Sequence, residues 1–291
     1  MAQPRIAAFA RVANGTMAPT RVISGSATKM ARTVHGIAYD PVRDEIYVSN
    51  ALADAVLVFR GSANGAEPPV RMIQGSCTGM VNPHAISLDL EHREILVSSL
   101  SARAIAVFPM DANGNVTPIR YIKGPKTRLG HTVGLGVDTE TNVLVVANAE
   151  DILFFDRTAT GDVAPLGDIK GEHTGIRDEP WELQIHKGKI FLAASNHLHL
   201  NLYSEVKLKP EYSDGHGKVP EDPWLNPELG FIGVWNVRDR GDVPPRAKIG
   251  GPFSQLVHPT GLALNPKDGE IYVTDGIRNG LFSFLVPELL R

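Results

Sequence analysis

From His35 onward the chain repeats one pattern with a period close to 49 residues, and few folds are built from units of that length. The copies are VHGIAYDPVRDEIYVSNALADAVLVF from Val34, PHAISLDLEHREILVSSLSARAIAVF from Pro83, TVGLGVDTETNVLVVANAEDILFF from Thr132, PWELQIHKGKIFLAAS from Pro180 and PTGLALNPKDGEIYVTDGIRNGLFSF from Pro259. Matched positions are His35, His84, Val133, Trp181 and Thr260, so the steps are 49, 49, 48 and 79 residues. Most units also end alike, in PPVRMIQG, TPIRYIKG and PPRAKIGG, and APTRVISG stands near the N-terminus. Each unit offers four short runs rich in β-branched and aliphatic residues, separated by Gly, Pro, Asn and Asp, with no competing helical period.

Four strands per unit at a period in the forties predicts an all-β chain, a β-propeller of four-stranded blades. With the strands of a blade labelled a to d from the axis outward, five a runs fall around Ile37, Ile86, Leu135, Leu183 and Leu262, and five b runs around Ile46, Ile95, Val143, Ile190 and Ile271. The count favours five blades in a single domain, residues 1–291, with an insertion at about 195–230 between the b and c strands of the fourth blade. The last blade stops after its c run at Leu281 to Phe284, so APTRVISG is expected to supply its d strand and close the ring, which removes open sheet edges. An extra c-like run, Arg5 to Ala10, keeps six blades open.

Composition agrees with one large core: 291 residues, 43% hydrophobic, net charge -3. No basic stripe argues for nucleic acid, and no long apolar run argues for a membrane span. Cys77 is the only cysteine, so no intrachain disulfide forms and the redox compartment stays open. The N-terminus lacks a full signal-peptide pattern; a leader already removed would favour a periplasmic or secreted location.

The segments PTGLALNPKDGEIYVTD and VHGIAYDPVRDEIYVSN resemble the NHL family of β-propellers, whose units read roughly Gly-Ile-Ala-Val-Asp, a turn, then Ile-Tyr-Val-Ala-Asp. The resemblance covers most of the chain and implies the fold; function must come from what departs from the plain repeat.

The departure is histidine. The column at the start of strand a reads His35, His84, Val133, Trp181, Thr260, and the position two residues earlier reads Thr33, Asn82, His131, Glu179, His258. In an extended chain residues two apart point the same way, so both columns are expected to face one mouth of the central channel. Of the ten histidines in the chain, four stand in these ten positions, where chance would place less than one. Imidazoles converging from separate strands can ligate zinc or copper, and Glu179 adds a carboxylate, so His35, His84, His131, His258 and Glu179 are the candidate metal ligands. The bland alternative is a set of turn-capping and wall residues. Asp40, Asp89 and Asp138 recur at the end of strand a and are read as turn residues.

Loops joining b to c emerge on the same side as the entries to strand a. The insertion therefore reads as a lid over the histidines, or as a decorative or oligomerising hairpin, and brings His197, His199, Glu205, Tyr212, His216 and Trp224. Arg103 and Arg278 lie on other b-to-c turns.

Within the NHL-like propellers, VHGIAYD and PHAISLD are similar to the zinc-ligand segments of peptidyl-hydroxyglycine amidating lyase. That resemblance implies a metal held by His35 and His84, with an arginine and a tyrosine assisting catalysis; Arg103, Arg278 and Tyr203 stand in suitable places by location. Three functions remain open. One is a metal-dependent lyase or hydrolase acting on a small-molecule or peptide ligand at the mouth. The second is a non-catalytic propeller binding protein, peptide or glycan, and the third is a copper oxidoreductase.

Overall fold

In a computed structural model the chain is described over residues 4–176, 179–195 and 230–291, with only the backbone of residue 179. It is all-β apart from five 3-10 turns and a C-terminal helical turn, Pro287–Leu290, and none of its described helices is long and apolar enough to cross a membrane.

The strands form antiparallel blade sheets of the propeller type. The first blade is β3 (Ile37–Asp40), β4 (Glu45–Asn50), β5 (Ala55–Arg60) and β6 (Arg71–Gln74), in that spatial order. The second is β7 (Pro83–Asp89), β8 (Glu94–Ser99), β9 (Ala104–Pro109) and β10 (Arg120–Lys123). The third is β11 (Thr132–Asp138), β12 (Val143–Asn148), β13 (Asp151–Asp156) and β14 (Gly167–Ile169). The fourth is β15 (Glu179–His186), β16 (Lys189–Ser195), β17 (Gly230–Asn236) and β18 (Ala247–Gly250). The fifth has three strands, β19 (Pro259–Asn265), β20 (Glu270–Asp275) and β21 (Gly280–Leu285). All predicted a and b runs fall inside these strands. In the fourth sheet Ser195, the last described residue of β16, pairs with Gly230, the first of β17.

The extra run near the N-terminus is a strand, β1 (Arg5–Ala8), and it pairs with β2 (Arg21–Ser24) in a two-stranded sheet.

The chain divides into two compact units, Met1–Leu144 with Phe155–Pro165, and Val145–Phe154 with Leu166–Arg291. In the first, Tyr47, Val58, Ile73, Ile86, Val97 and Phe108 form a core between the first two sheets. In the second, Phe191, Ile232, Val234, Leu262, Ile271 and Val273 do the same between the fourth and fifth. A sheet covered on both faces needs continuous rather than alternating apolar sequence, which is why every residue of β8 is buried. In β21 burial alternates, leaving Leu281 and Leu285 exposed.

Successive blades are stapled by the turns before their outer strands. Gly65 donates to Val22 O at 2.7 Å and accepts from Ser24 N at 2.9 Å, and Gly114 bonds Met72 and Gln74 in the same way. Both glycines hold φ near +70°, a conformation open to glycine without strain.

Candidate functional site

Three of the four column histidines come together in the first unit. His35 and His84 stack with ring centroids 3.9 Å apart and planes 26° from parallel, and His131 lies 6.5 Å from His84, tilted by 55°. His258 belongs to the second unit, where its ring meets Trp181 edge-on at 5.3 Å.

The local structure that aims these rings is a bulge in strand a. Pro83 pairs with Ser99 and Ile86 with Val97, so His84 and Ala85 together oppose Ser98 alone. The extra N–H of the bulge goes to a hydroxyl: Ala85 N donates to Ser98 Oγ at 2.8 Å. One blade earlier, His35 N donates to Ser49 O at 3.1 Å and Gly36 N to Ser49 Oγ at 2.7 Å. Trp181 and Glu182 share a bulge opposite Ala193, and Thr260 occupies one in the last blade. Bulges re-aim side chains where a regular strand would hold strict alternation, so the two-residue parity used to group the histidines is bent at this position.

The backbone of His84 is fixed from the neighbouring blade. Its carbonyl accepts from Gly36 N at 2.9 Å and from the Ser49 hydroxyl. A Cβ on Gly36 would stand 2.7 Å from that oxygen and 2.8 Å from Ile86 N, so the close approach requires glycine.

The loops entering strand a are held by polar residues at the end of strand b, which the sequence analysis missed. Asn50 Oδ1 accepts from Ala31 N at 2.7 Å, Ser99 Oγ from Val81 N at 2.7 Å, and Asp275 Oδ2 from Val257 N and His258 N at 2.7 and 2.8 Å. The available signal was a polar residue closing each b run, in VSN, VSS, VAN, AAS and VTD.

Burial disfavours the charged form of His84 and His35. His84 is 8% exposed, and burial, followed by repulsion from His35 and His131, pushes its pKa down to about 3 against a hydrogen bond with the Val133 backbone. Desolvation lowers His35 as well. Around it the same sheet ends expose Leu52 (65%) and Val81 (47%), and Asn82 N donates to Asp54 Oδ1 at 2.7 Å, tying the loop before β7 to the turn after β4.

The remaining candidates fall as follows. Arg103 is exposed in the turn after β8, with φ of 50°. Arg278 is exposed in the turn after β20, its Nε donating to Gln255 O at 3.3 Å. Tyr203, the side chain of Glu179, and the insertion residues His197, His199, Glu205, Tyr212, His216 and Trp224 lie outside the described residues. The turn role of the recurring aspartates holds: Asp40 Oδ1 accepts from Val42 N at 2.8 Å, Asp89 Oδ1 from His92 N at 3.0 Å, and Asp138 Oδ2 from Thr141 N at 3.1 Å.

The histidines were tested as a metal centre on their ring geometry. An imidazole ligates through an in-plane lone pair, and two rings stacked face to face do not aim those lone pairs at one point. Among the described residues no group of three or more His, Cys, Asp or Glu side chains is arranged to hold a metal ion. The cluster as it stands presents two stacked, neutral rings beside a third.

No family model and no curated protein matches the sequence. Among solved structures, hydrazine synthase of Kuenenia stuttgartiensis is similar in fold, with a TM-score of 0.51 and 11% identity over 82% of this chain and 54% of that one. The chain thus spans about half the length of that structure, and at this identity the likeness concerns the fold alone. The resemblances to NHL repeats and to the amidating lyase rest on the sequence.

Proposed function

We propose that the protein is a binding propeller, and that the His35, His84 and His131 face takes a small organic molecule or peptide bearing a planar group. The observation that carries this reading is the stack: exposed His35 lies 3.9 Å over buried His84. Planar ligand groups stack on such faces, and a neutral imidazole offers one donor and one acceptor to orient them. Exposed Leu52 and Val81 supply apolar surface on adjoining loops. The bulge hydrogen bonds and the Gly36 contact pre-order the histidine backbone, so binding costs little further entropy.

The test is a titration of the labelled protein with planar heterocycles and aromatic peptides, following imidazole resonances. Ligands that shift His35 and His84, and that lose at least tenfold affinity in a folded His35→Ala variant, support the reading. Binding that ignores His35→Ala overturns it.

A second reading, a metal-dependent lyase or hydrolase, is favoured by one observation: three of ten histidines gather from three successive blades. The present ring geometry does not fit a zinc or copper ion, so no catalytic step is derived through one. Metal content of the untagged protein and of the His35→Ala/His84→Ala double variant separates the readings. Near-stoichiometric transition metal, lost in the folded double variant, would replace the binding reading with the metal one, and the same experiment tests a copper oxidoreductase.

A further inference from the structure

The repeat provides an internal control for a second cluster, independent of the histidine stack. After each outer strand the chain makes a short turn that reads Gly-x-x-Thr in Gly75 to Thr78, Gly124 to Thr127 and Gly171 to Thr174. The third residue of each turn donates its backbone N–H to a side chain from the following blade: Cys77 N to Asn115 Oδ1 at 2.7 Å, Lys126 N to Asp162 Oδ1 at 2.8 Å and His173 N to Asp242 Oδ1 at 2.7 Å. One oxygen of Asp242 is therefore structural.

Its second oxygen is used only in the fourth blade. Asp242 Oδ2 holds His173 Nδ1 at 2.7 Å. A carboxylate on Nδ1 fixes the ring orientation and leaves Nε2 facing away from it. His173 lines a 740 Å³ cavity with Glu150, Lys170, Gly171, Glu172 and Ile176. Lys170 Nζ lies 3.7 Å from Glu150, and Ile176 is 5% exposed. The lining of this open cleft thus carries two basic side chains, Lys170 and His173, and two acidic ones, Glu150 and Glu172, with Lys170 and Glu150 paired to each other.

We propose that this cleft binds a zwitterionic ligand of the α-amino acid class: its carboxylate meets His173 and Lys170, and its ammonium meets Glu172 and Glu150. Asp242 is a positioning residue for His173. The hydrogen bond from Asp242 raises the pKa of His173, which favours the carboxylate contact.

Free leucine, N-acetylleucine and leucinamide are titrated into the full chain, following the His173 imidazole resonance by NMR. Leucine is expected to bind at millimolar concentration, and each blocked analogue, lacking one charge, to bind roughly tenfold more weakly. Asp242→Asn is expected to weaken leucine by about tenfold while folding normally, since Asn115 accepts the equivalent backbone N–H two sites earlier. His173→Gln, which leaves Asp242 in place and is followed by the Lys170 and Glu172 backbone amide resonances, gives the same loss if the first variant misfolds. No response to leucine, equal responses to all three compounds, or unchanged binding in both variants overturns the proposal.

Discussion

At the scale of single residues, the buried titratable groups make the sharpest predictions. Folding lowers the pKa of His84 from 6.5 to about 3, so below pH 6.5 the unfolded chain gains a proton that the folded one refuses. That contribution to stability is complete above pH 6.5 and is lost as pH falls toward 3, up to about 5 kcal/mol. Urea unfolding from pH 7 to 4 is expected to show a stability slope that His84→Gln flattens. Glu182 behaves in the opposite sense. It stands where the other blades have Gly36, Ala85, Gly134 and Gly261, and burial raises its pKa from 4.5 to about 8. The folded protein keeps a proton that the unfolded chain releases, so stability falls as pH rises from 4.5 to 8. Glu182→Gln is expected to stabilise the protein at pH 7 by about 1–3 kcal/mol, partial exposure trimming the full effect, with little change at pH 4.5. The histidine column and the aspartate turns were legible because they recur in register. The isolation of Glu182 was equally visible as a break in a small-residue column, but its protonation depends on what surrounds it, which no local pattern states.

At the scale of elements, the strand-a bulge and the Gly-x-x-Thr turn do most to place the candidate surfaces. Thr127 is fully buried, donates its hydroxyl to Gly124 O at 2.6 Å and accepts from Leu129 N at 3.3 Å. Thr127→Val keeps the shape and removes both bonds, so calorimetry or urea unfolding is expected to show a loss of about 2 kcal/mol. Gly36→Ala pushes a methyl against His84 O and Ile86 N, both backbone atoms with little room to yield. A destabilisation of about 1–3 kcal/mol is expected, with displaced His35 and His84 imidazole resonances. The strands were readable from apolar runs bounded by turn residues. The bulge was not, because register is set by the partner strand: the sequence of β7 contains no mark that two of its residues will oppose Ser98.

At the scale of the whole molecule, the two kinds of sheet boundary should differ in dynamics. β9 lies between β8 and β10 with both edges paired, whereas β21 pairs with β20 on one edge and shows no second strand among the described residues. Native-state hydrogen exchange is expected to protect outward-directed amides of β21 far less than those of β9; equal protection would mean that a further strand covers it. The repeat period, the number of a and b strands and the recurrence of histidine at the start of strand a were determined by the sequence alone. All are matters of spacing, and spacing survives in one dimension. How the histidine rings would lie against one another and which charges would share the Glu150 to Ile176 cavity were decided only in three dimensions. Bulge register and the packing of one blade on the next depend on distances that residues far apart in the chain acquire only on folding.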